Sequence, residues 1–201
     1  MRALGESPRP EVSAGDAFVK HPVLGVVGSA AEGVEALRVG LVEPAMERGW
    51  RVAVTLTPTA GQWLRAIGEI ARLEKLTGLP VRDAPRLPGE ARPHPAANCY
   101  VMAPASANTV AKLALGLMDN QALTQVGEAI GTAGLPVIVL PRVNAGHTGH
   151  PAWHRHIETL KAAGVHLVHG PKSWSQYEAV HDGAAPDFPW SQVLAAVSAV
   201  S

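Results

Sequence analysis

Five short apolar runs punctuate the chain: Val23–Gly28, Arg51–Leu56, Cys99–Ala103, Pro136–Leu140 and Val165–Val168. Apolar and polar residues hardly alternate within them, which is the pattern of strands buried on both faces in a helix-covered parallel sheet. Between them, Gly33–Arg48, Ala60–Leu76, Thr109–Leu117, Leu123–Gly131 and Ala152–Ala163 repeat apolar positions at helical spacing and are long enough to be crossover helices. The pattern predicts a three-layer, doubly wound α/β domain with a mostly parallel, Rossmann-like sheet. Gly49, Gly78, Gly134 and Gly164 each follow a predicted helix and precede a predicted strand, where a left-handed residue ends a helix.

Outside this alternation, residues 1–21 mix Pro, Gly, Ser and charge without periodicity and are read as a loosely held arm. The folded domain then spans 22–170, and 171–201 form a C-terminal extension ending in a helix, Ser191–Val200. That tail is polar from Gly170 to Pro189 yet carries Trp174, Tyr177, Phe188 and Trp190, too many aromatics for a solvated segment. It is expected to dock, on its own domain in preference to a neighbouring subunit. Val81–Pro95 is rich in Pro and Arg and poor in apolar residues, so an exposed loop is predicted there.

Composition narrows the class. With 201 residues, 47% of them hydrophobic, and 17 basic against 17 acidic side chains, the chain suits one globular domain able to bury a full core without disulfides. Cys99 is the single cysteine. A net charge of zero argues against a general nucleic-acid binder and in favour of a small ligand or a protein partner. No stretch has the length and apolarity of a signal peptide or membrane span, and a cytoplasmic location is the expectation.

Ligands of open parallel sheets bind beyond the carboxyl ends of the strands, which directs attention to three loops. Gly28-Ser29-Ala30-Ala31 follows the first strand with small residues that let backbone N–H groups approach an anion. Thr57-Pro58-Thr59-Ala60 follows the second with two hydroxyls, Thr59 reading most simply as a helix cap. The third, Ala103-Pro104-Ala105-Ser106-Ala107-Asn108-Thr109, runs straight into the helix that Val110 continues. Three such loops at one sheet edge predict a mononucleotide site.

Ordered landmarks along residues 22–168 add to this: GVVGSAAEGVEAL at 25–37, VTLTPTAGQWL at 54–64, LTGLPV at 76–81, APASANTVAKLALGLMDN at 103–120, then PRVN at 141–144 and HPAWHRHIETLKAAGVHLV at 150–168. In these the chain resembles the homo-oligomeric flavin-containing cysteine decarboxylases, which include phosphopantothenoylcysteine decarboxylase and the peptidyl-cysteine decarboxylases of lantibiotic synthesis. It is more distantly similar to the flavin prenyltransferases. The resemblance implies a flavoprotein-type fold, FMN as cofactor and a homo-oligomer, trimer or dodecamer, with the flavin at subunit contacts. Carried over by position, Gly28, Ser29 and Ala30 would line the cofactor's phosphate and ribityl side and Thr57 would lie near the phosphate. Ser106, Ala107, Asn108 and Thr109 would hold the remainder.

The substrate half departs from the family. Its decarboxylases carry a Pro-x-Met-Asn-x-x-Met-Trp motif; here Pro141 and Asn144 match, while Val143, His147 and Thr148 replace Met, Met and Trp. The resemblance assigns Asn144 to the substrate carboxylate, and an amide donor in a water-poor pocket suits that task. Arg142 stands where the prenyltransferase relatives place a phosphate-contacting arginine; the competing reading is a surface arginine after a strand. The family's catalytic histidine, fourteen residues before the Pro of the Pro-Ala-Ser-Ala-Asn-Thr element, falls on Glu90. His94, between Pro93 and Pro95, could reach the site only from a loop. No cysteine follows Cys99, so the late flap cysteine of phosphopantothenoylcysteine decarboxylases is missing, and Cys99 reads as a buried small hydrophobe.

His147, His150, His154 and His156 invite a metal reading, but His150 precedes Pro151 and no Cys, Asp or Glu completes a ligand set, so no metal is expected. His147, in a Gly-flanked loop after Asn144, is the candidate acid or base. The resemblance therefore implies an FMN-dependent carboxy-lyase or oxidoreductase acting on a small or peptidyl thiol carboxylate, with Asn144, His147 and His94 as candidate catalytic residues. Two alternatives stay open: a non-catalytic FMN-binding or regulatory oligomer, and a flavin prenyltransferase-like enzyme.

Overall fold

The computed structural model describes residues 21–168 and 188–200; the arm up to residue 20, and Trp174 and Tyr177 of the tail, lie outside the described residues. Five strands, β1 (Val23–Gly28), β2 (Arg51–Leu56), β3 (Cys99–Ala105), β4 (Val137–Pro141) and β5 (His166–Leu167), form one sheet in the order β2-β1-β3-β4-β5. Every strand pair is parallel. The architecture is a three-layer, doubly wound α/β domain, and the absence of alternation has its physical cause in the packing. Leu24, Val26, Val101, Ile138 and Leu140 enter a core on one face, whereas Val27, Met102, Val137 and Val139 enter a second core on the other.

The second core is closed by α4 (Ala107–Leu115), α5 (Gln121–Ile130) and α7 (Trp153–Ala162), through residues such as Val110, Val126 and Ile157. The first is closed by residues 34–47, α2 (Pro58–Ala66), α3 (Glu69–Thr77) and α8 (Trp190–Ala199), through residues such as Leu37, Leu64, Leu73 and Val193. Among the described residues no helix is long and apolar enough to cross a membrane. Gly49, Gly78, Gly134 and Gly164 all take positive φ, between 68° and 88°, as their positions between helix and strand require.

Two of the predicted helices differ from expectation. Residues 33–48 are a tandem of a 3₁₀ turn (Val34–Ala36), a π-helical stretch (Arg38–Val42) and α1 (Glu43–Glu47). Pro44, with no N–H to give the carbonyl four residues back, stands where the winding changes. The helix expected over Ala60–Leu76 is two helices, α2 and α3, broken at Gly68, whose φ is 75°. The apolar period runs on through the break, which hides it. At the helix start, Thr57 is the cap residue and Thr59 lies inside the first turn, so the cap reading of Thr59 is corrected. A short α6 (Ala145–Thr148), too brief to leave a period in the sequence, follows β4.

The described part of the tail packs on its own domain. Phe188 and Trp190 stack with centroids 4.1 Å apart and cover Gly33 and Gly40. A Cβ on Gly33 would lie 2.2 Å from the Phe188 ring, and Gly33 has a φ of 94°. Gly33→Ala should therefore cost about 2–4 kcal/mol, from a left-handed backbone and an overpacked ring together. Urea unfolding checks this: the midpoint should fall with the slope unchanged, and an unaltered midpoint would contradict the packing described.

Candidate functional site

The strand order reverses direction between β1 and β3, and the loops beyond these strands are joined there by Ser29. Ser29 is 1% exposed. Its backbone N–H and its hydroxyl both donate to the Pro104 carbonyl, at 3.1 and 2.9 Å, and its Oγ accepts from the Ser106 N–H at 2.8 Å. Gly28 ends β1 against the Leu56 and Val34 side chains, where a Cβ would sit 3.0 and 3.3 Å from them. Arg142 N–H donates to the Ala105 carbonyl at 2.8 Å, which ties the end of β4 to the same rim.

Beyond that rim lies a cleft of about 540 Å³, lined by Ala30, Thr57, Ser106, Ala107, Asn108, Thr109 and, from α6, His147. Its size falls within the roughly 300–1,000 Å³ usual for small-molecule sites. Thr57 and Ser106 cap α2 and α4, so the N-termini of two nine-residue helices open on one space. Ser106 Oγ accepts from Thr109 N–H at 3.3 Å and lies 3.0 Å from Thr109 Oγ1. Thr57 makes no such side-chain cap bond. The far wall is Lys112, Asp119 and Asn120. Lys112 bonds Asp119 at 2.5 Å, and that hydrogen bond holds the Asp119 carboxyl below its ordinary value. Asn120 Oδ1 caps α5 by accepting from Leu123 N–H at 3.1 Å.

An adjoining cleft of about 330 Å³ shares Ala30, Ser106, Ala107 and His147 and adds Glu32, Arg142 and Asn144. Arg142 is not the surface arginine of the competing reading: it is 9% exposed, its Nη2 donates to Glu32 Oε2 at 2.7 Å, and its guanidinium lies 5.8 Å from the Phe188 ring centroid. Asn144 is the N-cap of α6, its Oδ1 accepting from His147 N–H at 2.9 Å. Glu32 and Phe188, which orient Arg142, carry no local signal in the sequence, since both contacts join residues distant along the chain.

His94 lines neither cleft; it borders a separate concavity and its Nε2 donates to the Pro80 carbonyl at 2.7 Å. Burial holds its imidazole below the ordinary value against the pull of that carbonyl, and Arg82 adds to the lowering. Glu90 is exposed in a turn, its carboxylate accepting from Leu87 N–H at 2.8 Å. Cys99 opens β3 as a buried thiol, pushed up to about 12 by desolvation, so it is inert as a nucleophile at neutral pH. His150 stands outside α7, where its Nδ1 accepts from Ala152 N–H at 3.1 Å, and it shares no helix face with His154. Pro151 likewise precedes the helix, which begins at Trp153.

The model of one protein family, Flavoprotein, matches residues 17–200. The chain belongs to the Flavoprotein family. Among solved structures it is similar to the FMN-dependent cysteine decarboxylase TvaF from thioviridamide biosynthesis, with a TM-score of 0.59 and 26% identity over 76% of this chain and 92% of that one. The peptidyl-cysteine decarboxylase EpiD aligns with a TM-score of 0.61 over 87% of this chain and 97% of that one; at 19% identity this likeness speaks to the fold. A phosphopantothenoylcysteine decarboxylase of Oryza sativa subsp. japonica is 42% identical over 72 residues, 36% of this chain and 32% of the relative. A cysteine/cysteine sulfinic acid decarboxylase from an unknown prokaryotic organism is 38% identical over 69 residues, 34% of this chain and 18% of the relative. The chain thus matches a third or less of the length of these curated relatives.

Proposed function

We propose that the protein binds FMN in the cleft beyond β1, β2 and β3 and acts as a decarboxylase-like enzyme on a cysteine-derived or peptidyl thiol carboxylate. The opening of two helix N-termini, α2 and α4, onto one cleft beside the Thr57 hydroxyl carries the reading. Helix N-termini offer N–H groups with no partner inside the helix and the positive end of the dipole, and a phosphate satisfies both. Thr57 stands at a cap position without giving its hydroxyl to the helix, so that hydroxyl is available to a phosphate oxygen. Ala30 and Ala107 keep the backbone reachable, and Asn108 and Thr109 add polar groups along the same wall. Ser29 fits the role of a brace beneath the cofactor, since its hydroxyl already bonds both Pro104 and Ser106. The bound flavin would supply a two-electron acceptor, while the protein supplies placement and electrostatics.

For the substrate half, Asn144 gives its oxygen to α6, which turns its two N–H donors outward for a carboxylate. Arg142 keeps a positive charge at the same rim with Glu32 as counter-ion, and His147 borders both clefts, where it can take or give a proton. Exposed apolar side chains on α2 and at the end of α4, including Trp63 at 50% and Leu115 at 60%, support a homo-oligomer in which a neighbour covers this open site.

Carbon dioxide release and the matching mass loss, measured on cysteine-terminated peptides and small cysteine derivatives with the FMN-loaded protein, test the reading. FMN retained without turnover across the panel would instead favour a non-catalytic FMN-binding oligomer. That second reading draws on Glu90 at the family's histidine position and on His94 facing another cleft.

A further inference from the structure

The Pro- and Arg-rich loop remains outside this account, although it builds the wall of a concavity of its own. Arg82, Arg86 and Arg92 surround a cleft of about 320 Å³ whose other walls include Tyr100 and, from α5, Gln125 and Glu128. It shares no lining residue with the flavin cleft, and the two use different faces of α5: Gln121, Thr124, Gln125 and Glu128 here, Asn120 and Leu123 there.

The three guanidinium groups form no ion pair among the described residues, whereas Arg38, Arg65, Arg72 and Arg142 each have a carboxylate partner. Backbone carbonyls steady two of them instead: Arg82 Nη2 donates to Ala84 O at 3.1 Å and Arg86 Nη1 to Glu90 O at 2.8 Å. The Arg82 backbone is itself fixed at the edge of β2, donating to Val54 O at 3.1 Å and accepting from Leu56 N–H at 2.7 Å. Each arginine fork therefore keeps N–H donors that no described residue takes up.

Charge and shape specify that ligand. Glu128 is the one carboxylate in the lining against three guanidiniums, and the surplus of two positive charges matches a phosphate dianion better than a monocarboxylate. Tyr100 supplies an aromatic wall held across Gly25, where a Cβ would lie 2.4 Å from the ring. Burial and the nearby Glu128 push its phenol up, against a smaller opposing pull from Arg92, so the hydroxyl remains a donor at neutral pH.

We propose that this cleft binds a phosphate monoester, its phosphate gripped by Arg82, Arg86 and Arg92 and its organic body lying along Tyr100. The site is separate from the flavin cleft and stands whether or not the protein decarboxylates anything.

Calorimetric titration of the full chain, carrying one equivalent of FMN, with phenyl phosphate at an ionic strength fixed by chloride tests it. Saturable binding of one phenyl phosphate per chain is expected, weakened at least about tenfold in the Arg86→Gln/Arg92→Gln double variant and in the Arg86→Gln single variant by a smaller factor, with thermal midpoints unchanged. Benzoate should bind at least about tenfold more weakly than phenyl phosphate. FMN affinity should be the same in wild type and double variant. Absence of saturation, equal affinity in the double variant, or parity between benzoate and phenyl phosphate would overturn the proposal. A parallel loss of FMN affinity would also overturn it, because the arginines would then serve the phosphate of the flavin.

Discussion

Asn144→Asp is expected to abolish carbon dioxide release while leaving α6 capped. An aspartate oxygen can accept from His147 N–H as the asparagine Oδ1 does, so the local fold survives. The change removes the amide donors and sets a carboxylate against the substrate's own. Asn144→Ala loses both donor and cap; it should forfeit about 1 kcal/mol of stability through the cap, alongside its catalytic loss. By comparison with other donors aimed at developing or bound negative charge, kcat/KM should drop about 100- to 1,000-fold in the alanine variant and at least as far in the aspartate variant. FMN affinity should stay within about twofold in both, since Asn144 lines the adjoining cleft and not the one proposed to hold the FMN phosphate. An aspartate variant that kept most of its activity would reduce Asn144 to a helix cap.

Ser29→Ala tests the floor of the site. The substitution removes a hydroxyl that donates to Pro104 O and accepts from Ser106 N–H, and it leaves that N–H without its partner at the half-buried edge of the cleft. Each of the two lost hydrogen bonds is worth about 0.5–1.5 kcal/mol, and Pro104 O keeps its bond from the Ser29 backbone, so about 1–3 kcal/mol should disappear from the unfolding free energy. The loops beyond β1 and β3 would also lose their mutual register, and FMN affinity should fall at least about tenfold. Urea unfolding and flavin titration of the variant read the two effects. A stability change below about 0.5 kcal/mol would mean that the hydroxyl does not brace the rim.

Much of this architecture was legible in the sequence because parallel, doubly covered strands leave a distinctive mark. Val23–Gly28 and Arg51–Leu56 have the bounds the apolar runs predict, and the four glycines between helix and strand adopt the backbone their positions call for. The loops beyond β1, β2 and β3 were identifiable for a similar reason, since small and hydroxyl residues before a helix are a local pattern. What was hidden was non-local. The break at Gly68 leaves the apolar period intact, α6 is a single turn, and the pairing of Arg142 with Glu32 spans 110 positions. The engagement of the Ser29 hydroxyl likewise depends on Pro104 and Ser106, which the sheet order alone brings alongside. His94 illustrates the converse: displaced from the family's histidine position, which falls on Glu90, it could reach the site only from a loop, and its bond to Pro80 O holds it in the arginine cleft.

The most direct measurement is an FMN titration of the full chain stripped of small molecules, followed by visible absorbance and by release on denaturation. The account predicts saturation at one FMN per chain, a Kd of about 1 µM or tighter, and a perturbed flavin band that reverts to that of free FMN when the protein is unfolded. Protein that stays colourless and shows no saturable uptake of FMN would contradict it.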